Sequence, residues 1–313
     1  MAQLEGTFPE KEISKARPFW LDVFVRLVRE KPLGTVGGII VLALLIIGIC
    51  ANWILTLHGY GYNSIFVGPK LAAPSLAFPF GCDQLGRDVL TRVIYGARVS
   101  VIVGLSVAGL SVVISTVIGI VCGYLGGKVD LIGQRFVDGV MCIPGLFLML
   151  TFLSIFPATP ENLLRATLPV TLVLGILFGI GQSRIVRGAV IAIRANPYLE
   201  AAKAIGCGTR RILLRHVLPN VMAPIIILFT VTVGAAILIE ASISFLGFGI
   251  PAPIPTWGGM LSMEGRRYML QAWWLAFWPG LFLAIVVWGV NMLGDALRDL
   301  LDPRLRGGLG RYR

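Results

Sequence analysis

The sequence predicts an all-α integral membrane protein that crosses the bilayer about six times, and three observations predict it. Hydrophobic residues make up 56% of the 313 positions and charged residues only 14%, with a mean hydropathy of +0.84. A water-soluble domain carries about 25% charge and cannot bury so much apolar surface. The apolar residues also gather in uncharged blocks close to the roughly 20 residues a helix needs to cross the hydrocarbon core. Finally, if the N-terminus is inside, 20 of the 27 Lys and Arg residues fall on the cytoplasmic side and 7 outside. Basic residues are enriched in cytoplasmic loops, so both termini are expected inside.

In chain order, residues 1–33 read as a cytoplasmic segment, 34–56 as the first membrane anchor and 57–98 as an extracytoplasmic loop. Residues 99–295 hold five further spans, at 99–123, 137–156, 168–187, 219–241 and 273–295, with a cytoplasmic loop at 188–218 and a cytoplasmic tail at 296–313. The first apolar block follows a polar stretch and is too long for the core of a signal peptide, so it is expected to stay as an anchor. Just before it, Phe19, Trp20, Val23, Phe24, Leu27 and Val28 recur at helical spacing opposite Asp22, Arg26 and Arg29. Such a stripe suits a helix lying in the membrane interface or one packed on another subunit, and the pattern serves both.

In the external loop, Asp83 stands four residues before Arg87, and Asp88 four before Arg92. That spacing pairs acid and base along a helix, so a short amphipathic helix is expected at the outer rim, with ion pairs that are structural rather than ligand-binding. In the second span Ser111, Ser115, Gly119, Gly123 and Gly127 repeat every four residues and line one helix face with small side chains, which lets another helix approach closely. Pro144, Pro224 and Pro279 each free a backbone carbonyl and permit a kink. Trp273, Trp274 and Trp278 read as part of the outer aromatic belt, and Arg184 and Arg187 as anchors at the inner interface. Glu240, charged and at membrane depth, is a candidate for the solute path or for a structural pair with an arginine or backbone amides. Asp83 and Arg87 are kept beside it as path or rim candidates.

Several chemistries are disfavoured. The net charge of +11 is spread over short loops that face an anionic leaflet, which does not form a nucleic-acid surface. Five cysteines without a CxxC pair and two histidines support neither a disulfide framework nor a metal centre. No GxxxxGK[ST] phosphate loop occurs, so an ATP-driven process would draw its energy from another polypeptide. Membrane depth offers no catalytic constellation and almost no carboxylate for ion coupling.

The most informative stretch is RANPYLEAAKAIGCGTRRILLRHVLPN, residues 194–220, which reads as two short helices around a glycine turn. Asn196 suits an N-cap, Pro197 the first helical position and Glu200 the positive end of the dipole. Gly206 can adopt the left-handed turn that stops the helix, Thr209 can cap the next one, and Pro219 is expected to end it. A surface helix exposing Ala201, Ala202 and Ala204 between Tyr198, Leu199 and Ile205 suits a docking element or a solvated loop.

Glu200, Ala201, Ala202, Gly206, Leu218 and Pro219 resemble the EAA signature of the type I ABC importer permeases. FGCDQLGRDVLTRVIYGARVS, SISFLGFGIPAPIPTWGGML and NMLGDALRDLLDPR narrow the resemblance to the peptide, opine and nickel group, specifically the C-type subunit of its dipeptide and oligopeptide systems. Cys82 stands where that family usually has Thr, and Ala296 where it usually has Gly.

The resemblance implies the type I ABC importer permease fold in a bacterial or archaeal plasma membrane. It implies a coupling helix comprising Tyr198, Leu199, Glu200, Ala201, Ala202, Lys203 and Gly206. The implied partners are a second, homologous permease, two ATPase subunits and an extracytoplasmic solute-binding protein, besides membrane lipid. ATP and Mg would be used by the ATPases, and this chain would bind no cofactor and catalyse no reaction. Peptides are the expected solute, although nickel, opines and oligosaccharides use closely similar permeases. A secondary transporter or channel working without ATPases is the alternative, and a reversed, exporting direction is opposed by the importer-type loop.

Overall fold

A computed structural model describes residues 19–301, and among them every regular element is helical. Helix α1 (Phe19–Glu30) leads through Lys31 into α2 (Pro32–His58). Pro32 occupies the first turn, where its missing N–H costs nothing. Gly59 closes α2 at φ +82°, donating its N–H to the Leu55 and Thr56 carbonyls in a left-handed conformation that suits glycine. The side chains of Phe19, Trp20, Asp22 and Val23 lie outside the described residues. Of the rest of the predicted stripe, Phe24 and Val28 are exposed and Leu27 turns toward α2.

Helix α3 (Val89–Leu125) starts ten residues before the expected span because Asp88 caps it, accepting hydrogen bonds from the Leu90 and Thr91 backbone N–H groups. The separate rim helix expected from the i,i+4 charges does not form: residues 83–88 make a turn, and the helical part is the outer end of α3. Helices α4 (Gly127–Met141) and α5 (Gly145–Ile155) meet at 82°. The sequence pattern had suggested one kinked span at 137–156. Pro144 instead takes an extended ψ of 122° and contributes no N–H, so the helix stops and restarts.

Helix α6 (Leu163–Arg194) returns across the membrane and is followed by the surface helix α7 (Pro197–Ala204). The next crossing is continuous from Thr209 to Phe245. It comprises α8 (Thr209–Ile212), a π-helical turn (Leu213–Val217), a 3-10 turn (Leu218–Val221) and α9 (Met222–Phe245). Pro219 therefore does not end a helix as expected, because the flanking π and 3-10 turns absorb its missing bond. Gly208, not Thr209, takes the N-cap position, without a side-chain cap. The short elements α10 (Trp257–Met260) and α11 (Arg266–Tyr268) pack outside before α12 (Trp274–Leu301) completes the bundle. Five helical stretches among the described residues are long and apolar enough to span a membrane, and the α4–α5 pair gives a sixth when counted as one bent span.

The centre of the fold is the seam between α3 and α6, where small residues on each helix receive large ones from the other. Gly119 and Gly123 of α3 face Val186 and Val190, while Gly175 and Gly179 of α6 face Leu110 and Ile114. A β-carbon on Gly119 would fall 2.6 Å from the Val186 β-carbon, and one on Gly179 would fall 2.6 Å from that of Ile114. Ser111 and Ser115, also on this seam, satisfy their hydroxyls by donating to the Ala108 and Val112 carbonyls at 3.1 Å. The predicted small-residue stripe thus holds from Ser111 to Gly123, whereas Gly127 belongs to α4. A second close approach joins α2 to α12, where a β-carbon on Gly37 would fall 2.5 Å from the Gly289 carbonyl oxygen. Without a hydrophobic drive between helices in lipid, interlocked packing of this kind holds a bundle together.

Candidate functional site

Two clusters of functional residues form at opposite ends of the bundle. At the outer end, Asp83 accepts hydrogen bonds from the Leu85 and Arg87 backbone N–H groups at 2.8 and 2.9 Å, and from Arg87 Nε at 2.5 Å. Arg87 continues to Glu264 at 2.5 Å, and Arg92 donates to the same Glu264 oxygen at 3.2 Å. Arg92 also reaches the Tyr62 carbonyl at 3.4 Å and lies 3.8 Å from Asp83. All four side chains are no more than 8% exposed. Two cations meet two anions, so desolvation of each charge is offset inside the cluster. The expected Asp88–Arg92 pair does not form, because the Asp88 carboxylate is committed to capping α3 and lies 3.6 Å from His58. Burial pushes the Asp88 carboxyl above the usual range against the pull of those capping bonds and of His58.

Asp83 and Arg87 therefore pair as the spacing predicts, but as buried groups that lock two loops together, and neither faces open space. Glu264 was not singled out in the sequence. Its only signal there is a lone acid beside Arg266 and Arg267 in an otherwise apolar loop.

Aromatic side chains complete the outer cap. Trp274 is buried and donates to the Cys82 carbonyl at 3.2 Å, Trp257 donates to the Val93 carbonyl at 3.1 Å, and Trp278 stacks on Phe80 at 3.9 Å. The aromatic-belt reading therefore applies to exposed Trp273 but not to Trp274 or Trp278, which hold the external loop on α12. Cys82 is fully buried, and burial, followed by the Asp88 and Asp83 charges, pushes its thiol up to about 11. It is a packed, protonated thiol.

Glu240 is 1% exposed, accepts a hydrogen bond from the Ser244 hydroxyl at 2.6 Å, and has no arginine partner among the described residues. The Ser244 oxygen in turn accepts from the Ile250 backbone N–H at 3.3 Å, tying α9 to the loop beyond it. Among the described residues the side chain meets neither an open path nor an arginine. At the inner end, Arg187 forms a two-pronged pair with Asp130 at 2.5 Å on both prongs, and Arg184 pairs with Asp138. These arginines bind α4 to α6 instead of serving as free interfacial anchors.

The second cluster is α7. Leu199 and Ala202 point inward, into a core shared with Tyr124, Val190 and Ile212. The exposed face carries Tyr198, Glu200, Ala201, Ala204 and Ile205, and Lys203 lies over the Tyr124 ring at 5.4 Å. The small-residue face predicted for docking is thus narrower, since Ala202 and Leu199 are the residues that seat the helix. Asn196 takes the N-cap position without a side-chain cap, and Gly206 adopts φ +82°, the left-handed turn its position suggested.

A bundle of long apolar helices with a short surface helix braced at one end defines a multi-pass membrane protein. The profile of the binding-protein-dependent transport system inner membrane components matches residues 115–307, more than half of the chain. The chain belongs to that family and is a permease subunit of an ABC importer, a multi-pass protein of the bacterial inner membrane. It is 37% identical to the dipeptide transport system permease protein DppC of Alkalihalophilus pseudofirmus, over 95% of this chain and 94% of that protein. It is 34% identical to the oligopeptide transport system permease protein OppC of Bacillus subtilis, over 95% and 93%. Against the probable D,D-dipeptide transport system permease protein DdpC of Escherichia coli the identity is 33%, over 90% and 91%.

Proposed function

We propose that this chain is the C-type permease of a peptide importer, forming half of the translocation path beside a second, homologous permease. Two ATPase subunits, using ATP and Mg, would drive it from the cytoplasm, and an extracytoplasmic binding protein would deliver the solute. The full-length similarity to permeases named for dipeptides and oligopeptides supports the solute class.

The observation that carries the coupling is the seating of α7. Leu199 and Ala202 fix it to the bundle while Tyr198, Glu200, Ala201, Lys203 and Ala204 stay outside, and Gly206 turns the chain directly into the continuous crossing from Thr209 to Phe245. A partner gripping the outer face would move that crossing as a body. Glu240, Asp83 and Arg87 serve in this reading as buried braces of the outer half, not as solute contacts.

The test is purification of the chain from its native membrane in mild detergent, with mass spectrometry of its companions and an ATPase assay. Recovery of a second permease and ATPases, with hydrolysis stimulated by a binding protein loaded with peptide, is expected. A chain that comes out alone and carries flux in liposomes without ATP overturns the proposal in favour of a channel or secondary transporter.

A further inference from the structure

The arginines at the inner end of the bundle fall into two groups. Arg184 and Arg187 of α6 are spent on Asp138 and Asp130, and Arg135 of α4 lies 3.7 Å from Asp138. Arg210, Arg211 and Arg215 are exposed, and no carboxylate among the described residues pairs with any of them. The one acid between residues 184 and 220 is Glu200, on α7. Arg211 and Arg215 stand four apart across the π-helical turn Leu213–Val217, with Arg210 next to Arg211. Like charges at that spacing repel, so three guanidiniums within six residues call for an anion from outside the chain.

Their depth says where that anion comes from. The crossing they begin, Thr209–Phe245, has 37 residues, about 56 Å at 1.5 Å per residue, against roughly 30 Å of hydrocarbon. Shared between the two ends, the surplus is about 13 Å or about nine residues each, which sets residues 209–217 at the level of the lipid headgroups. The same stretch carries apolar surface: Leu214 is 54% exposed between the arginines, and Met222, one segment deeper, is 40% exposed. A phosphate is matched by the planar fork of a guanidinium, and acyl chains below it would cover Leu214 and Met222. A free phosphate offers the same oxygens but nothing to cover those two side chains, so the arrangement favours a lipid.

We infer that Arg210, Arg211 and Arg215 form a binding site for the phosphate of an anionic phospholipid in the inner leaflet, and that this lipid anchors the root of the crossing that follows α7. Gly206, at φ +82°, turns the chain three residues before that root. With its foot held by a headgroup, the crossing pivots when α7 is loaded instead of sliding through the bilayer. The effect on coupling rests on the importer reading, whereas the lipid contact itself does not, and the experiment reads the two separately.

The transporter, purified with its partner subunits, is placed in phosphatidylcholine nanodiscs containing a trace of photoreactive phosphatidylglycerol, and cross-linked peptides are located by mass spectrometry. Label is expected on residues 209–222. It should fall at least about tenfold in Arg210→Gln/Arg211→Gln/Arg215→Gln, because each arginine near an anionic surface strengthens binding about fivefold. Lys128→Gln removes another exposed charge from the inner end and should leave the label unchanged. Peptide-stimulated ATP hydrolysis of the unmodified transporter should rise about fivefold when half of the lipid is phosphatidylglycerol, and the triple variant should lose that rise. Label confined to other segments, an equal loss of label in Lys128→Gln, or displacement of the label by millimolar inorganic phosphate overturns the inference. So does loss of the ATPases from the triple variant in every lipid, which would assign these arginines to that partner. Uptake that is present but indifferent to phosphatidylglycerol defeats the anchoring role alone, whereas uptake absent in every lipid with all partners present defeats the importer reading and leaves the cross-link to decide the lipid site.

Discussion

Removing the charge of Glu264 should unbalance the outer rim. The carboxylate receives Arg87 at 2.5 Å and Arg92 at 3.2 Å, and Asp83 is the other anion of the cluster. Glu264→Gln keeps the shape and an acceptor but leaves two buried guanidiniums facing one carboxylate. Breaking a buried pair by removing one partner costs about 3–5 kcal/mol. At about 2–4 °C per kcal/mol for a domain of this size, the melting midpoint should fall by roughly 10 °C.

Arg92→Met removes one cation and leaves Asp83 and Glu264 sharing Arg87, with a similar loss. The double variant Glu264→Gln/Arg92→Met restores one cation against one anion, so it should lose less than the sum of the singles by about 1–3 kcal/mol. A fluorogenic thiol dye reads the transition in a background whose other four cysteines are replaced by serine, because Cys82 is fully buried beside the cluster and becomes reactive only when the rim opens. Singles that leave the midpoint unchanged, or losses that simply add, would refute the charge-balance argument.

Five further outcomes follow from packing and protonation. Gly119→Leu should cost about 1–3 kcal/mol or more, since its β-carbon would meet Val186 at 2.6 Å and the Arg187 backbone nitrogen at 2.9 Å, and a core gives way poorly to extra volume. Gly188→Leu, on the open side of α6, should not lower the denaturation midpoint, because nothing lies within 4 Å of its added carbon. Cys82 keeps its proton in the folded state up to about 11, above its ordinary value of 9.0. Its contribution to stability is therefore whole below pH 9 and is lost as pH rises through about 11, so wild type should lose stability over that window relative to Cys82→Ala. On α7, Leu199→Ala should destabilise by about 2–5 kcal/mol, because Leu199 is 1% exposed. Ala204→Trp on the outer face should shift the melting midpoint little while abolishing peptide-stimulated ATP hydrolysis in the assembled complex.

The crossings were legible in the sequence because a membrane span is specified by length and hydropathy alone, and α2, α6 and α12 lie where the apolar blocks are. The α3–α6 seam was legible on one side, through the four-residue repeat from Ser111 to Gly123. Its answering glycines, Gly175 and Gly179, had no repeat long enough to stand out. The start of α3 was not legible, because Arg92 looks like the polar edge of a span until Glu264, 172 residues away, supplies its counter-charge. Periodicity carries no information about partners so distant in sequence. For the same reason Arg184 and Arg187 read as interfacial anchors, when Asp138 and Asp130 on α4 engage them. On α7 the composition marked the helix, but only the tertiary position of Tyr124 and Ile212 decides that Leu199 and Ala202 are its root rather than its contact face.

These braces bear on how a push at α7 would travel. Leu199 joins α7 to the inner ends of α3, α6 and the Thr209–Phe245 crossing in one core, and the α3–α6 seam is interlocked along its length. The two arginine–aspartate pairs add α4 to that body, and the Asp83–Arg87–Glu264–Arg92 cluster fixes the outer loops to the far end of α3. A load on α7 is therefore shared by α3, α4, α6 and α9 as a unit. Helix α5 hangs from α4 through the 82° break at Pro144, packs along α6, and buries Met149 and Leu153 in the core it shares with α3 and α9. Rotation of the body against α5 would change the width of the groove between Ile143 and Ile180 without disturbing either ionic cluster. The proposed coupling thus works through this elbow, and stiffening it by Pro144→Ala, which allows α4 to run on into α5, should uncouple ATP hydrolysis from uptake while the rim clusters keep the fold intact.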